Sequence, residues 1–109
     1  VDAWSNLGLV LTELGRLPEA MECFEKATAL RPDFAEAYYN WGNALFAAGK
    51  FEEAAGRFEQ TIRIRPAYAP ALFNLGATLA RLGRSADARR SFSEASRLDP
   101  RFKAPETGN

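Results

Sequence analysis

The sequence predicts an all-α solenoid of three antiparallel helix-turn-helix repeats, six helices in all. Three observations predict it. The chain repeats itself at an interval of 34 residues: Gly8 with Gly42 and Gly76, Ala20 with Ala54 and Ala88, Phe24 with Phe58 and Phe92, Pro32 with Pro66 and Pro100, and Asn6 with Asn40 and Asn74. Within each unit the apolar residues recur at helical spacing, as Trp4, Leu7, Leu11 and Leu14 do at steps of three, four and three. Glycine and proline stand where helices turn and stop.

The first helix of a unit is marked by Trp4, Leu7, Leu11 and Leu14, one face of a helix. Gly15, with Gly49 and Gly83 in the later units, ends it, because glycine accepts the left-handed conformation that closes the last carbonyls. The basic residue that follows (Arg16, Lys50, Arg84) suits a helix C-terminus. Pro18 then stands in a first turn, where a missing N–H costs nothing, and Leu17, Ala20, Phe24, Ala27 and Leu30 form the inward stripe of a second helix. That helix stops before Pro32, and Arg31, Arg65 and Asp99 mark the three stops, each preceding a proline. Asp33 with Glu36 reads as a capping box for the next helix.

The residue types carry a packing logic. Gly8 and Ala20 are small where two antiparallel helices approach, and Trp4 and Phe24 fill the space around them. One hairpin cannot bury its apolar face alone, so three must stack. The predicted domain is residues 1–102, divided into repeats 1–34, 35–68 and 69–102, with a tail at 103–109.

Composition narrows the function. The 109 residues are 47% hydrophobic and 26% charged, in the range of a globular domain. No apolar run approaches the roughly 18 residues that cross a bilayer, and Val1 to Leu14 reads as a helix and not as a signal peptide, so no membrane insertion is expected. The compartment is not fixed by this, a cytoplasmic one being favoured. Fourteen basic residues balance fourteen acidic ones, which argues against nucleic acid as a partner. One cysteine and no histidine leave no internal disulfide and little material for a metal site or acid-base chemistry, so neither cofactor nor metal is expected. Cys23 aligns with the polar Arg57 and Ser91, which places it near the surface of an outer helix. Glu52 and Glu53 have no evident nucleophile or metal beside them, so an enzyme is not expected.

These residues resemble the tetratricopeptide repeat family. In the first unit Trp4, Leu7, Gly8, Leu11, Ala20, Phe24, Ala27 and Pro32 carry its signature, with leucine at position 11 where the family has tyrosine. The second has Tyr38, Trp41, Gly42, Leu45, Ala54, Phe58, Thr61 and Pro66, and the third Leu72, Leu75, Gly76, Leu79, Ala88, Phe92, Ala95 and Pro100, without the leading aromatic. The RNA-binding pentatricopeptide arrays share a similar period but not this set. The resemblance implies a right-handed superhelix whose first helices line a concave groove that takes an extended peptide or partner helix, a protein-binding scaffold without catalysis.

Carried onto this chain, the groove positions include Asp2, Ser5, Asn6, Leu9 and Glu13, then Glu36, Tyr39, Asn40 and Asn43, then Pro70, Phe73, Asn74, Ala77 and Arg81. Asn6, Asn40 and Asn74 form a ladder similar to that of O-GlcNAc transferase repeats. An amide donates and accepts, so such a ladder can hold a peptide backbone regardless of its side chains. Tyr39, Phe73 and Leu9 add apolar contacts, and Asn43 and Arg81 complete the peptide-binding set. The subfamily that grips chaperone C-termini uses a lysine, two asparagines, a lysine and an arginine at places that here hold Ser5, Leu9, Asn40, Pro70 and Asn74; only Asn40 fits, so without the cations a C-terminal carboxylate is not the expected ligand.

Two further readings follow from charge and from the ends. Residues 1–34 hold three basic and six acidic groups, residues 35–68 four and four, and residues 69–102 six and three. A solenoid with unlike ends can join head to tail, so homotypic assembly through the array ends or the groove is an alternative to peptide binding. A targeting arm of a larger enzyme, such as a glycosyltransferase, is another. Arg89 and Ser96 stand in the last repeat where Met21 and Thr28 stand in the first, which suits a terminal outer face. After Phe102 the tail lacks the apolar pattern, so the array is expected to end there without an extra helix. Leu9 and Val10 make the first helix more apolar than its counterparts, so a preceding repeat or domain is expected upstream.

Overall fold

In the computed structural model, which describes residues 2–102 and the side chains from residue 3 onward, six helices follow one another: α1 (Asp2–Glu13), α2 (Leu17–Leu30), α3 (Ala35–Ala47), α4 (Phe51–Ile64), α5 (Ala69–Arg81) and α6 (Ser85–Leu98). The tail at 103–109 and the side chain of Asp2 lie outside the described residues. The described residues form an all-α solenoid of three helical hairpins, about 42 × 25 × 20 Å.

Each hairpin closes on a Schellman turn. Gly15, Gly49 and Gly83 have φ of 81°, 79° and 80°. In the first turn the Arg16 N–H donates to the Leu11 carbonyl at 2.8 Å and the Gly15 N–H to Thr12 at 3.0 Å, the paired bonds of that motif. Lys50 to Leu45 and Arg84 to Leu79 repeat the longer bond at 2.9 Å. Pro18 lies in the first turn of α2, and the C-caps Arg31, Arg65 and Asp99 each stand directly before a proline, as expected.

The two helices of a hairpin meet through a glycine and a phenylalanine. A methyl group at Gly8 would lie 2.6 Å from Phe24 Cε1, one at Gly42 2.6 Å from Phe58 Cε1, and one at Gly76 2.8 Å from Phe92. The ring therefore rests on bare backbone. Phe24 and Phe58 are wholly buried, as are Ala20, Ala27, Ala54 and Ala95. Thr61 and Thr78 are buried too, and their hydroxyls donate to the carbonyls of Arg57 (3.0 Å) and Asn74 (2.7 Å) four residues back, so neither is left without a partner.

Every helix packs on its successor, and α1 also meets α3 and α3 meets α5. The even helices make no such contact with one another. The array therefore has an inner row of α1, α3 and α5 and an outer row of α2, α4 and α6.

Four expectations need correction. Asp33 and Glu36 do not form a capping box: the N-cap of α3 is Phe34, without a side-chain capping bond, and that of α5 is Tyr68. An aromatic residue stands where a capping side chain would, and its ring lies under the guanidinium of the arginine three residues before it, Arg31 on Phe34 and Arg65 on Tyr68. Leu7 and Leu14 are not packed but 47% and 66% exposed; their equivalents Trp41, Leu75 and Leu82 pack in clusters that include the preceding outer helix, and no outer helix precedes α1 among the described residues. Leu30, at the last turn of α2, is likewise exposed. Cys23 is buried and not superficial, and that burial pushes its thiol pKa up.

Two outcomes follow. Gly42→Ala is expected to destabilise by about 1 kcal/mol or more, the strain of overpacking exceeding the gain in helix propensity, while Gly56→Ala, where nothing lies within 4 Å, should stabilise by about 0.5–1 kcal/mol; urea unfolding of both variants checks the opposite signs. Cys23 should react with a disulfide reagent at pH 8 at least about tenfold more slowly in the folded protein than in urea, because it is both buried and held protonated.

Candidate functional site

The predicted binding residues all lie on the inner row, but in two different states. Asn6 and Arg81 are exposed, and Leu9 is 39% exposed. Tyr39, Asn40, Asn43, Phe73 and Asn74 are half-buried between neighbouring hairpins.

The asparagines are joined across repeats. Asn74 Nδ2 donates to Tyr39 Oη at 3.1 Å and to Asn43 Oδ1 at 2.8 Å, which uses both of its hydrogens. Asn40 Nδ2 reaches Ser5 Oγ at 3.4 Å by the same step of 35 residues. An asparagine in one repeat thus ties to a hydroxyl in the repeat before it. What remains of Asn74 for a ligand is the carbonyl oxygen of its amide.

Tyr39 and Phe73 occupy equivalent places in an aromatic cluster. The Tyr39 ring lies 6.0 Å from Phe58 and 5.3 Å edge-on from Tyr68, and Phe73 lies 5.2 Å from Phe92 and 5.7 Å from Phe102. Each packs on the phenylalanine of its own repeat and on the aromatic residue just before the next helix or, in the last unit, just past α6. In the first repeat the cluster has Ser5, buried, in place of the ring. Phe34, Tyr68 and Phe102 were overlooked by sequence reasoning, though their 34-residue interval was there to be seen. The guanidinium groups of Arg31 and Arg65 lie 4.8 Å over the rings of Phe34 and Tyr68, so the residue before each proline serves the same column.

Where α3 and α5 adjoin, a crevice of about 180 Å³ opens between Asn43, Phe46, Phe58, Asn74 and Ala77. Its floor is the buried Phe58 and its walls carry two amides. Arg81 stands over Phe46 and Phe51, 5.5 and 5.6 Å from the ring centroids, which fixes a cation near the Phe46 wall. The crevice therefore combines an apolar base, amide groups able to meet a peptide backbone, and one positive charge. Phe46 was the member that sequence reasoning did not single out. No group of three or more potential metal-ligating side chains occurs among the described residues, and no described helix is long and apolar enough to cross a membrane.

Helical hairpins stacked at a fixed interval, with the first helix of each turned to one inner row, define a helical-repeat solenoid. Two family models match: one described as TPR repeat over residues 8–47, and one described as tetratricopeptide repeat over residues 39–101, more than half of the chain. The chain belongs to the tetratricopeptide repeat family. Among solved structures, it is similar to that of MamA (25% identity, TM-score 0.87, covering 92% of this chain and 58% of that one). It is also similar to that of YrrB, described as a TPR protein with an unusual peptide-binding site (27% identity, TM-score 0.84, covering 91% and 51%). The first TPR of Spaghetti (RPAP3), solved with the HSP90 peptide SRMEEVD, shares the fold at 21% identity (TM-score 0.88, covering 90% and 78%). The chain thus spans a little over half the length of MamA and YrrB as solved. No curated protein sequence matches it significantly.

The inter-repeat bonds give a stability outcome. Asn74→Ala should cost about 1 kcal/mol, two hydrogen bonds lost against a small gain in helix propensity, whereas Asn6→Ala, at an exposed position, should stay within about 0.5 kcal/mol of the parent in denaturant titration.

Proposed function

We propose that this chain is a non-catalytic scaffold that binds an extended segment of another protein along the inner face of α1, α3 and α5. The observation that carries this reading is the crevice between α3 and α5, apolar at the base and amide-lined at the rim. A side chain of the bound segment enters between Asn43 and Asn74, and the adjoining backbone meets the Asn43 amide and the free carbonyl oxygen of Asn74. Arg81 meets a carboxylate on the same segment. Asn6 and Leu9 extend the contact onto α1, where the surface is exposed. Tyr39 and Phe73 act from behind, holding the helices that present these groups, and Asn40 belongs with them. The description of YrrB, 27% identical, as a TPR protein with a peptide-binding site supports a peptide as the ligand class.

The test is selection of peptides on the immobilised protein from a random-sequence phage library, followed by affinity measurement with synthetic copies. Ala77→Phe, which fills the crevice, should weaken the selected peptides at least about tenfold, a loss of about 1.4 kcal/mol. Arg81→Glu should weaken those that carry a carboxylate and reverse the sign of the salt dependence of their binding. Peptides that bind both variants as tightly as the parent would place the site elsewhere and overturn the reading.

A further inference from the structure

The first two repeats each set a cation of the outer helix over an aromatic ring of the inner one. The Arg57 guanidinium lies 4.0 Å over the Trp41 ring, which is stacked on Tyr38 with 6.4 Å between centroids, and Lys26 Nζ lies 4.7 Å over Trp4. Trp41 packs with Ala20 and Phe24 of α2 while Arg57 covers it from α4, so ring and cation together fill the space between those outer helices. The third repeat has lost both parts. At the 34-residue interval Tyr38 and Trp41 become Leu72 and Leu75, Arg57 becomes Ser91, and Lys26, through Gln60, becomes Glu94.

The equivalent space in the third repeat is open. Leu72, Leu75 and Leu79 of α5, Glu59 of α4, and Ser91 and Glu94 of α6 line a depression of about 320 Å³. Both of its walls belong to the described chain. It lies on the face of α5 opposite the crevice, since Asn74 and Ala77 of the crevice follow Leu72 and Leu75 by two residues, about 200° around the helix.

Its charges favour a cation. Arg84 pairs with Glu52 at 2.7 Å and Arg90 with Asp87, which neutralises both arginines on the rim, and Glu94 pairs with Arg97. Glu59 pairs with no described residue, and one negative charge is left at the mouth. The basic excess of residues 69–102 comes from Arg81 and Arg89, neither of which lines the depression.

We propose that the depression is a second binding site, for a tryptophan flanked by basic residues in a segment of another protein. The ring lies on Leu72 and Leu75, as Trp41 fills the space one repeat earlier, the Ser91 hydroxyl accepts its indole N–H, and a basic neighbour meets Glu59. A chain carries the ring, and not a free aromatic amine, because Glu59, Arg84 and Arg90 stand exposed around a depression too open to enclose a small molecule. The site does not depend on the crevice between α3 and α5.

The probe is the capped pentapeptide Ala-Arg-Trp-Arg-Ala, titrated to about the millimolar range into protein with methyl labels on leucine and alanine. Saturable shifts are expected at Leu72, Leu75 and Leu79. Leucine in place of the peptide's tryptophan, or glutamates in place of its arginines, should weaken binding at least about threefold. Glu59→Lys should weaken the arginine peptide and strengthen the glutamate one, a reversal that loss of structure does not produce. Leu75→Trp with Ser91→Arg restores the filling of the second repeat and should abolish the shifts at Leu72 and Leu79 with helix content unchanged by circular dichroism; if that variant unfolds, the Glu59→Lys reversal decides alone. Ala77→Phe, which fills the crevice, should leave this binding as it is, so the two sites stand or fall separately. Absence of saturable shifts, shifts that fall on Ala77 instead, or equal affinity for the arginine and glutamate peptides would overturn the proposal.

Discussion

The separation of the two helices in each hairpin is set by a phenylalanine ring lying against a glycine backbone. With the Phe58 ring only 2.6 Å from where a Gly42 Cβ would stand, no side chain fits between them, and the same holds for Gly8 with Phe24 and Gly76 with Phe92. Close approach brings in the flanking alanines Ala20, Ala54 and Ala88, all buried, so that small side chains and ring together fill the hairpin. The tight turn at each positive-φ glycine is the other half of this constraint, for it returns the chain at the distance the ring demands. From these two features the hairpin geometry follows, and from identical hairpins the stacked array follows.

Between hairpins the forces are of another kind. Apolar burial of α2 on α3 and α4 on α5 supplies most of the stability, while polar and aromatic contacts at a step of about one repeat set the register. Asn74 reaches back to Tyr39 and Asn43, and the Tyr39 ring is pinned between Phe58 and Tyr68. The first junction is built more lightly, with Ser5 in place of the ring and one long bond from Asn40. The pair Arg84 and Glu52, at 2.7 Å, links the second and third hairpins on an exposed surface, where such a pair contributes well under 1 kcal/mol.

Local grammar made the fold legible in the sequence. Glycine at 15, 49 and 83 and proline at 32, 66 and 100 mark turns and stops for reasons that hold within a few residues, and the structure places helix ends there. What was not legible depends on who the neighbours are. A capping box was expected from Asp33 and Glu36, but Phe34 stands at the helix start without a side-chain capping bond, its ring lying under the Arg31 guanidinium. Cys23 aligned with polar residues and is nonetheless buried. The asparagine column was evident, but its partners lie 31 and 35 residues away, and only coordinates reveal that Asn74 has little left for a ligand except an oxygen. Leu7 and Leu14 match the inward pattern of a lone hairpin, yet the face they occupy is one that a neighbouring outer helix covers elsewhere in the chain.

The inner helices touch and the outer ones do not, and this gives the array a mechanical character. Bending that spreads or closes the outer row pivots about the α1, α3 and α5 seam, much as a book opens about its spine. The crevice lies on that spine, bridged by Asn74 with its two bonds, so its width is tied to the curvature of the whole stack. A ligand wedged there and a load that straightens the superstructure would act on the same degree of freedom.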